Sequence, residues 1–122
     1  MDKDKNKMNF ADRRRFPRFL VHYLADVCLK DETICATVID ISENGVGIML
    51  PERFNIGESL KIELRPSLSD MNVQKIHVTA KVIWTGKENE KGMHVCGLEI
   101  VDITEKDLEN LRNHINTLCD FS

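Results

Sequence analysis

The chain lacks most of the features that would mark a metalloprotein, a secreted scaffold or an enzyme. Its four cysteines (Cys28, Cys35, Cys96, Cys119) include no CxxC pair, and its four histidines (His22, His77, His94, His114) show no HExxH or similar spacing. A zinc site is disfavoured, and no metal or other cofactor is expected. Most of the cysteines lie inside apolar runs, which reads as small buried hydrophobes in a reducing cytosol. No apolar run approaches the roughly 20 residues of a membrane span, and the charged N-terminus has no signal-peptide core. A soluble, cytoplasmic protein without direct membrane insertion is expected. No nucleophile–base pair or phosphate-cradling glycine loop stands out, so no catalysis is expected. Only seven residues are aromatic, few for a groove that stacks single-stranded nucleic acid.

What is present is a chain of 122 residues, enough for one stable core. The net charge of −3 hides an asymmetry. Residues 1–18 carry seven Lys/Arg and three Asp/Glu, whereas the remainder carries ten and seventeen. A nucleic-acid polymer binder usually spreads positive charge over its folded body. A basic arm on an acidic body suits a small anion better.

Two stretches organise the rest. The first is the arm Asp12-Arg13-Arg14-Arg15-Phe16-Pro17-Arg18. Pro17 has no N–H and pushes Phe16 to an extended conformation, so the arm is not expected to be helical there. The second is Asp40-Ile41-Ser42-Glu43-Asn44-Gly45, a polar turn between strand-like runs. The two are expected to close on one small anionic ligand.

Period-two alternation predicts six strands. In 19–29, Val21, Tyr23, Ala25, Val27 and Leu29 share a face. In 33–41, Ile34, Ala36 and Val38 face one way and Cys35, Ile39 and Ile41 the other, so both faces look covered. Further strands are expected after Gly45, over 59–65, over 74–85 with Trp84 on the inward face, and over 93–101. The period then changes. Thr104 and Asp107 resemble a capping box, and Leu108, Leu111, Ile115 and Leu118 form one helical stripe. Six short antiparallel strands and one helix predict an all-β, closed or nearly closed barrel capped by a C-terminal α-helix.

In this setting the two stretches resemble the sequence marks of the PilZ domain family, RxxxR and [D/N]xSxxG. Here they read Arg14-Arg15-Phe16-Pro17-Arg18 and Asp40-Ile41-Ser42-Glu43-Asn44-Gly45. The strand through Gly45-Val46-Gly47-Ile48, the strand ending near Trp84, Cys96-Gly97-Leu98 and the final helix fit the same pattern. The resemblance implies a six-stranded antiparallel PilZ-type barrel over residues 12–119. Its parts would be a ligand-binding arm at 12–18, the barrel at 19–101 and the helix at 104–119, preceded by a flexible tail at 1–11. It also implies binding of the bacterial second messenger cyclic di-GMP and a receiver role without catalysis, passing a signal to motility, exopolysaccharide or regulatory machinery through a partner protein.

The site residues implied are Arg13, Arg14, Arg18, Asp40, Ser42 and Gly45. The arginine fork reaches phosphate oxygens bidentately, stacks on a purine and matches guanine O6 and N7. In an extended arm, positions 14 and 18 lie on one side about 13 Å apart. Asp40 would accept from guanine N1–H and N2–H₂, a donor edge that adenine lacks. Ser42 would donate to a phosphate or hold the turn. Gly45 would permit positive φ and a close approach. By the same resemblance, Arg13 points to an intercalated ligand dimer. Two other readings compete: a PilZ-like protein-interaction adaptor without ligand, and a small barrel for single-stranded nucleic acid. The plain alternative for the arginines is a solvated basic tail.

Overall fold

A computed structural model describes residues 16–66 and 74–120 of the chain. The strands are β1 (Phe19–Cys28), β2 (Thr33–Ile41), β3 (Gly45–Leu50), β4 (Ser59–Arg65), β5 (Ile76–Thr85) and β6 (His94–Asp102); one helix, α1 (Glu105–Asp120), comes after them. All pairings are antiparallel, and the strands close into a barrel in the order β1-β2-β3-β6-β5-β4. Closure leaves none of these strands with an unpaired edge.

The alternation read from the sequence sets the inside. Tyr23, Ala25 and Val27 of β1, Leu60, Ile62 and Leu64 of β4, and Ile76, Val78, Ala80 and Val82 of β5 are buried. Two departures come from β-bulges, in which one extra residue shifts the phase of everything after it. On β2, Val38 pairs Ile48 and Asp40 pairs Gly47, so Ile39 is extra. Ile34, Ala36 and Val38 point inward before the bulge and Ile41 after it. That corrects the reading of β2 as covered on both faces, since Cys35 is exposed. On β5, Val82 pairs Leu98 and Trp84 pairs Gly97, so Ile83 is extra. Trp84 therefore turns outward and is 40% exposed, contrary to its expected place in the core.

The cysteines need the same correction. Cys96 is buried, but Cys28, Cys35 and Cys119 are exposed. Cys28 and Cys35 fall on the outward phase of β1 and β2, where an apolar neighbour in sequence is not a neighbour in space.

The helix stripe lands as expected. Leu111 and Ile115 are buried, and Leu118 packs against the core from its edge. Thr104 caps α1: its hydroxyl accepts from the Asp107 N–H at 3.1 Å and donates to Asp107 Oδ2 at 2.9 Å. Asp107 Oδ1 also accepts from the His77 backbone N–H at 3.1 Å, fixing the start of α1 to the start of β5. The helix thus lies across the barrel end where β5 begins and β2 turns into β3.

On the inner side of α1, the His114 ring meets Tyr23 edge-on with centroids 5.4 Å apart, and its Nε2 lies 3.1 Å from the Tyr23 hydroxyl. Burial raises the Tyr23 pKa and lowers that of His114. Because the folded His114 pKa is depressed, the unfolded chain takes up this proton first as pH falls. The stability contributed by the neutral ring is complete above about pH 6.5 and declines below it. Thermal melts at about pH 7.5 and pH 5.5 should show an acid-side loss that is smaller in His114→Gln. Equal losses would remove His114 from this account.

Candidate functional site

The turn Ser42-Glu43-Asn44-Gly45 is built from its own polar groups. Ser42 N–H donates to the Gly45 carbonyl at 2.9 Å, closing the β2–β3 hairpin. The Ser42 hydroxyl donates to Asn44 Oδ1 at 2.7 Å and lies 3.4 Å from the Gly45 carbonyl. Ile100 N–H then donates to the Asn44 carbonyl at 2.9 Å, tying the turn to β6. Ser42 is only 1% exposed. The structure thus places its hydroxyl inside the turn. Gly45 does not use positive φ; among the described residues only Gly57 and Gly92 do. Gly45 is required instead by proximity, because a Cβ there would lie 2.7 Å from the Leu98 carbonyl oxygen.

Outside the barrel, directly paired residues form a row across four neighbouring strands and into a fifth. Leu20 pairs Asp40, Asp40 pairs Gly47, Gly47 pairs Gly97 and Gly97 pairs Trp84. Directly opposed residues share a face. The two glycines make the middle of the row a flat shelf. Asp40 lies down on it, with both carboxylate oxygens 2.8 Å from where a Gly47 Cβ would be. Trp84 covers it from the other side, its indole occupying the space that a Gly97 Cβ would need.

Arg18 completes the arrangement. It stands just before β1, and its Nη1 donates to Asp40 Oδ1 at 3.2 Å. The Arg18 side chain is 46% exposed and that of Asp40 17%. Its other terminal nitrogen reaches over Gly45, 3.9 Å from the position of a Cβ. The pair therefore offers guanidinium donors beside carboxylate acceptors at the edge of the shelf. Guanine carries O6 as an acceptor next to its N1–H donor, whereas adenine carries a donor at the equivalent exocyclic position. A donor beside an acceptor is the complement of the guanine edge.

Of the six residues expected at the site, Arg18, Asp40, Ser42 and Gly45 are brought together, with Ser42 turned inward. Arg13 and Arg14, like the rest of the arm to Arg15, lie outside the described residues. Trp84 was missed by sequence reasoning because the bulge at Ile83 is invisible in an alternating run. The signal that could have found it is the glycine opposite, which leaves room for a ring. A concavity of about 480 Å³ lined by Arg53, Phe54, Lys87 and His94 sits at the other barrel end and holds none of these residues. The shelf glycines themselves are buried beneath Asp40 and Trp84, so a ligand on this face would meet the exposed parts of Arg18 and Trp84.

The turn also reaches α1. Arg112 Nε donates to Glu43 Oε1 at 2.6 Å. The pair is surface-exposed, so it positions more than it stabilises. Among the described residues, no group of three or more His, Cys, Asp or Glu converges on a metal position, and no helix is long and apolar enough to cross a membrane.

No curated protein matches the chain by sequence. Solved structures do match its fold. The Bacillus subtilis inhibitor of motility MotI/DgrA superposes with a TM-score of 0.73 at 22% identity, covering 88% of this chain and 52% of that one. The PilZ domain of Escherichia coli YcgR, solved with c-di-GMP, gives 0.69 at 19% identity, covering 89% and 93%. The MrkH–c-di-GMP complex from K. pneumonia gives 0.69 at 15% identity, covering 89% and 53%. The chain thus spans about half of the first and third of these proteins. The sequence profile of the PilZ domain matches residues 12–117, which include both motifs, all six strands and most of α1. With the closed barrel, its C-terminal helix and the paired motifs in place, the chain belongs to the PilZ domain family.

Proposed function

We propose that this chain is a non-enzymatic cyclic di-GMP receptor that passes ligand occupancy to a partner protein in the cytoplasm. The observation that carries the reading is the Arg18–Asp40 pair, held over the Gly47–Gly97 shelf with Trp84 at its far side. A small anion with guanine bases suits every part of it. Asp40 accepts from guanine N1–H and N2–H₂, Arg18 reaches the phosphates or guanine O6 and N7, and the indole gives a base an apolar surface. Arg13 and Arg14 supply further guanidinium groups from the arm at 12–18. Gly45 keeps the turn close to β6, and Ser42 keeps it rigid. The ligand-bound PilZ relatives support this choice of ligand.

The mechanism is closure of the arm and the turn on one ligand. Binding redirects Arg18 from Asp40 alone to Asp40 plus ligand, so the face around β1 to β3 changes its charge and shape together. A partner that contacts this face reads the difference. The output, in motility, exopolysaccharide or a related process, lies with that partner.

The chain's single tryptophan makes the reading testable. Trp84 emission should change saturably on titration with cyclic di-GMP, and the change should be lost in Arg18→Ala. An emission spectrum unmoved by the ligand at high concentration would favour a protein-binding adaptor.

A further inference from the structure

Glu99 lies on the same outer face as the shelf, and the two motifs do not include it. It pairs directly with Gly45 of the motif turn on one side and with Lys81 of β5 on the other. Opposed residues share a face, so its side chain stands on the side toward which a Gly45 Cβ would point. That is also the side where the Arg18 guanidinium reaches over Gly45. Glu99 is exposed and makes no ion pair among the described residues, whereas Arg18 is already paired with Asp40. Arg18 is therefore flanked by two carboxylates on one face, one paired with it and one with no ion pair among the described residues. From strand spacing and rise, the two carboxylate-bearing Cα atoms lie about 12 Å apart, two strands across and two residues along.

A carboxylate beside an anion site is normally unfavourable, because it repels phosphate. It has a use if the ligand carries a donor edge there. The order on the face is carboxylate, guanidinium, carboxylate. A cyclic dinucleotide with two guanines has the complementary order: a donor edge, a ring of two phosphates, and a second donor edge.

We propose that Glu99 is a second specificity-determining residue, accepting from N1–H and N2–H₂ of the guanine that Asp40 does not read. The inference rests on the cyclic di-GMP reading above. In it, Arg18 lies between the two bases, donating to the phosphates and to O6 of the guanine that Asp40 reads, and each base meets its own carboxylate.

The test is calorimetric titration of the unaltered chain, Glu99→Gln and Asp40→Asn with three probes: cyclic di-GMP, the mixed guanine–adenine cyclic dinucleotide and cyclic di-AMP. A thermal melt of each variant confirms that it is folded, which the exposure of Glu99 favours. The loss of one charge-assisted contact should weaken cyclic di-GMP binding to Glu99→Gln on the order of ten- to a hundredfold. The unaltered chain should prefer cyclic di-GMP over the mixed dinucleotide, and Glu99→Gln should lose that preference. A bystander carboxylate gives the opposite sign: equal or tighter binding once the charge is removed, with the preference intact. That result overturns the role of Glu99 while Asp40→Asn still weakens binding, so the receptor reading survives it. If the unaltered chain binds none of the three probes, both fall.

Discussion

Gly97→Ala should expel Trp84 from its place on β6. The added methyl would fall inside the indole ring system, meeting Nε1, Cε2 and Cδ1. No small adjustment of a flexible side-chain tip relieves an overlap with a fused ring. Either the indole swings into solvent or the β5–β6 pairing opens at the bulge. Forced overpacking of this kind costs about 1–3 kcal/mol. Emission from the single tryptophan should shift to the red as the ring becomes wetter, and affinity for cyclic di-GMP should fall with it. Gly86→Ala is the control. A Cβ there would meet Val95 and Trp84 only at 3.5 Å or more, an ordinary contact, so neither emission nor affinity should move much. Unchanged emission in Gly97→Ala would mean that the indole does not rest on that glycine.

Leu111→Ala should be among the most destabilising single changes in the helix. Leu111 is 0% exposed and is the residue through which α1 enters the barrel core. Truncation of a fully buried leucine costs about 2–5 kcal/mol in lost transfer and cavity terms. Against a typical domain stability of about 5–15 kcal/mol, that is a large share. The thermal midpoint should drop by roughly 10 °C or more, at about 4–8 °C per kcal/mol for a domain near this size. Glu109→Ala, an exposed change off the buried stripe, should stay within about 0.5 kcal/mol. A Leu111→Ala midpoint equal to that of the unaltered chain would show α1 to be dispensable for the barrel.

The architecture was legible in the sequence where one rule acted alone. Alternation in 59–65 placed Leu60, Ile62 and Leu64 inward, and the change of period after Val101 marked α1 with its cap at Thr104. Reading failed where a single extra residue broke the alternation. Ile39 and Ile83 are both isoleucines in apolar runs, so nothing in their identity announces a bulge, yet each reverses the facing of the residues after it. Trp84 was misplaced for that reason alone. The cysteines failed differently, because apolar residues beside them in sequence belong to the other face of the same strand.

At the site, the motif spacing pointed to Arg18 and Asp40, and the structure pairs them across 22 positions of sequence. The roles of Ser42 and Gly45 needed coordinates. Whether a serine hydroxyl faces a ligand or its own turn depends on one rotamer, and Gly45 answers to the Leu98 carbonyl on a distant strand. The pairing of β3 with β6, which brings Gly47 against Gly97 and Glu99 beside Gly45, is set by closure of the barrel and has no local signal.

The central claim is that Arg18 and Asp40 form a guanine-reading pair, and calorimetric titration with cyclic di-GMP against cyclic di-AMP tests it most directly. The unaltered chain should bind the guanine ligand selectively. Arg18→Ala should lose on the order of ten- to a hundredfold in affinity, as expected for one charge-assisted hydrogen bond, and Asp40→Asn should lose most of its preference for guanine over adenine. Equal affinity for the two ligands, or binding by both variants that matches the unaltered chain, would contradict the account.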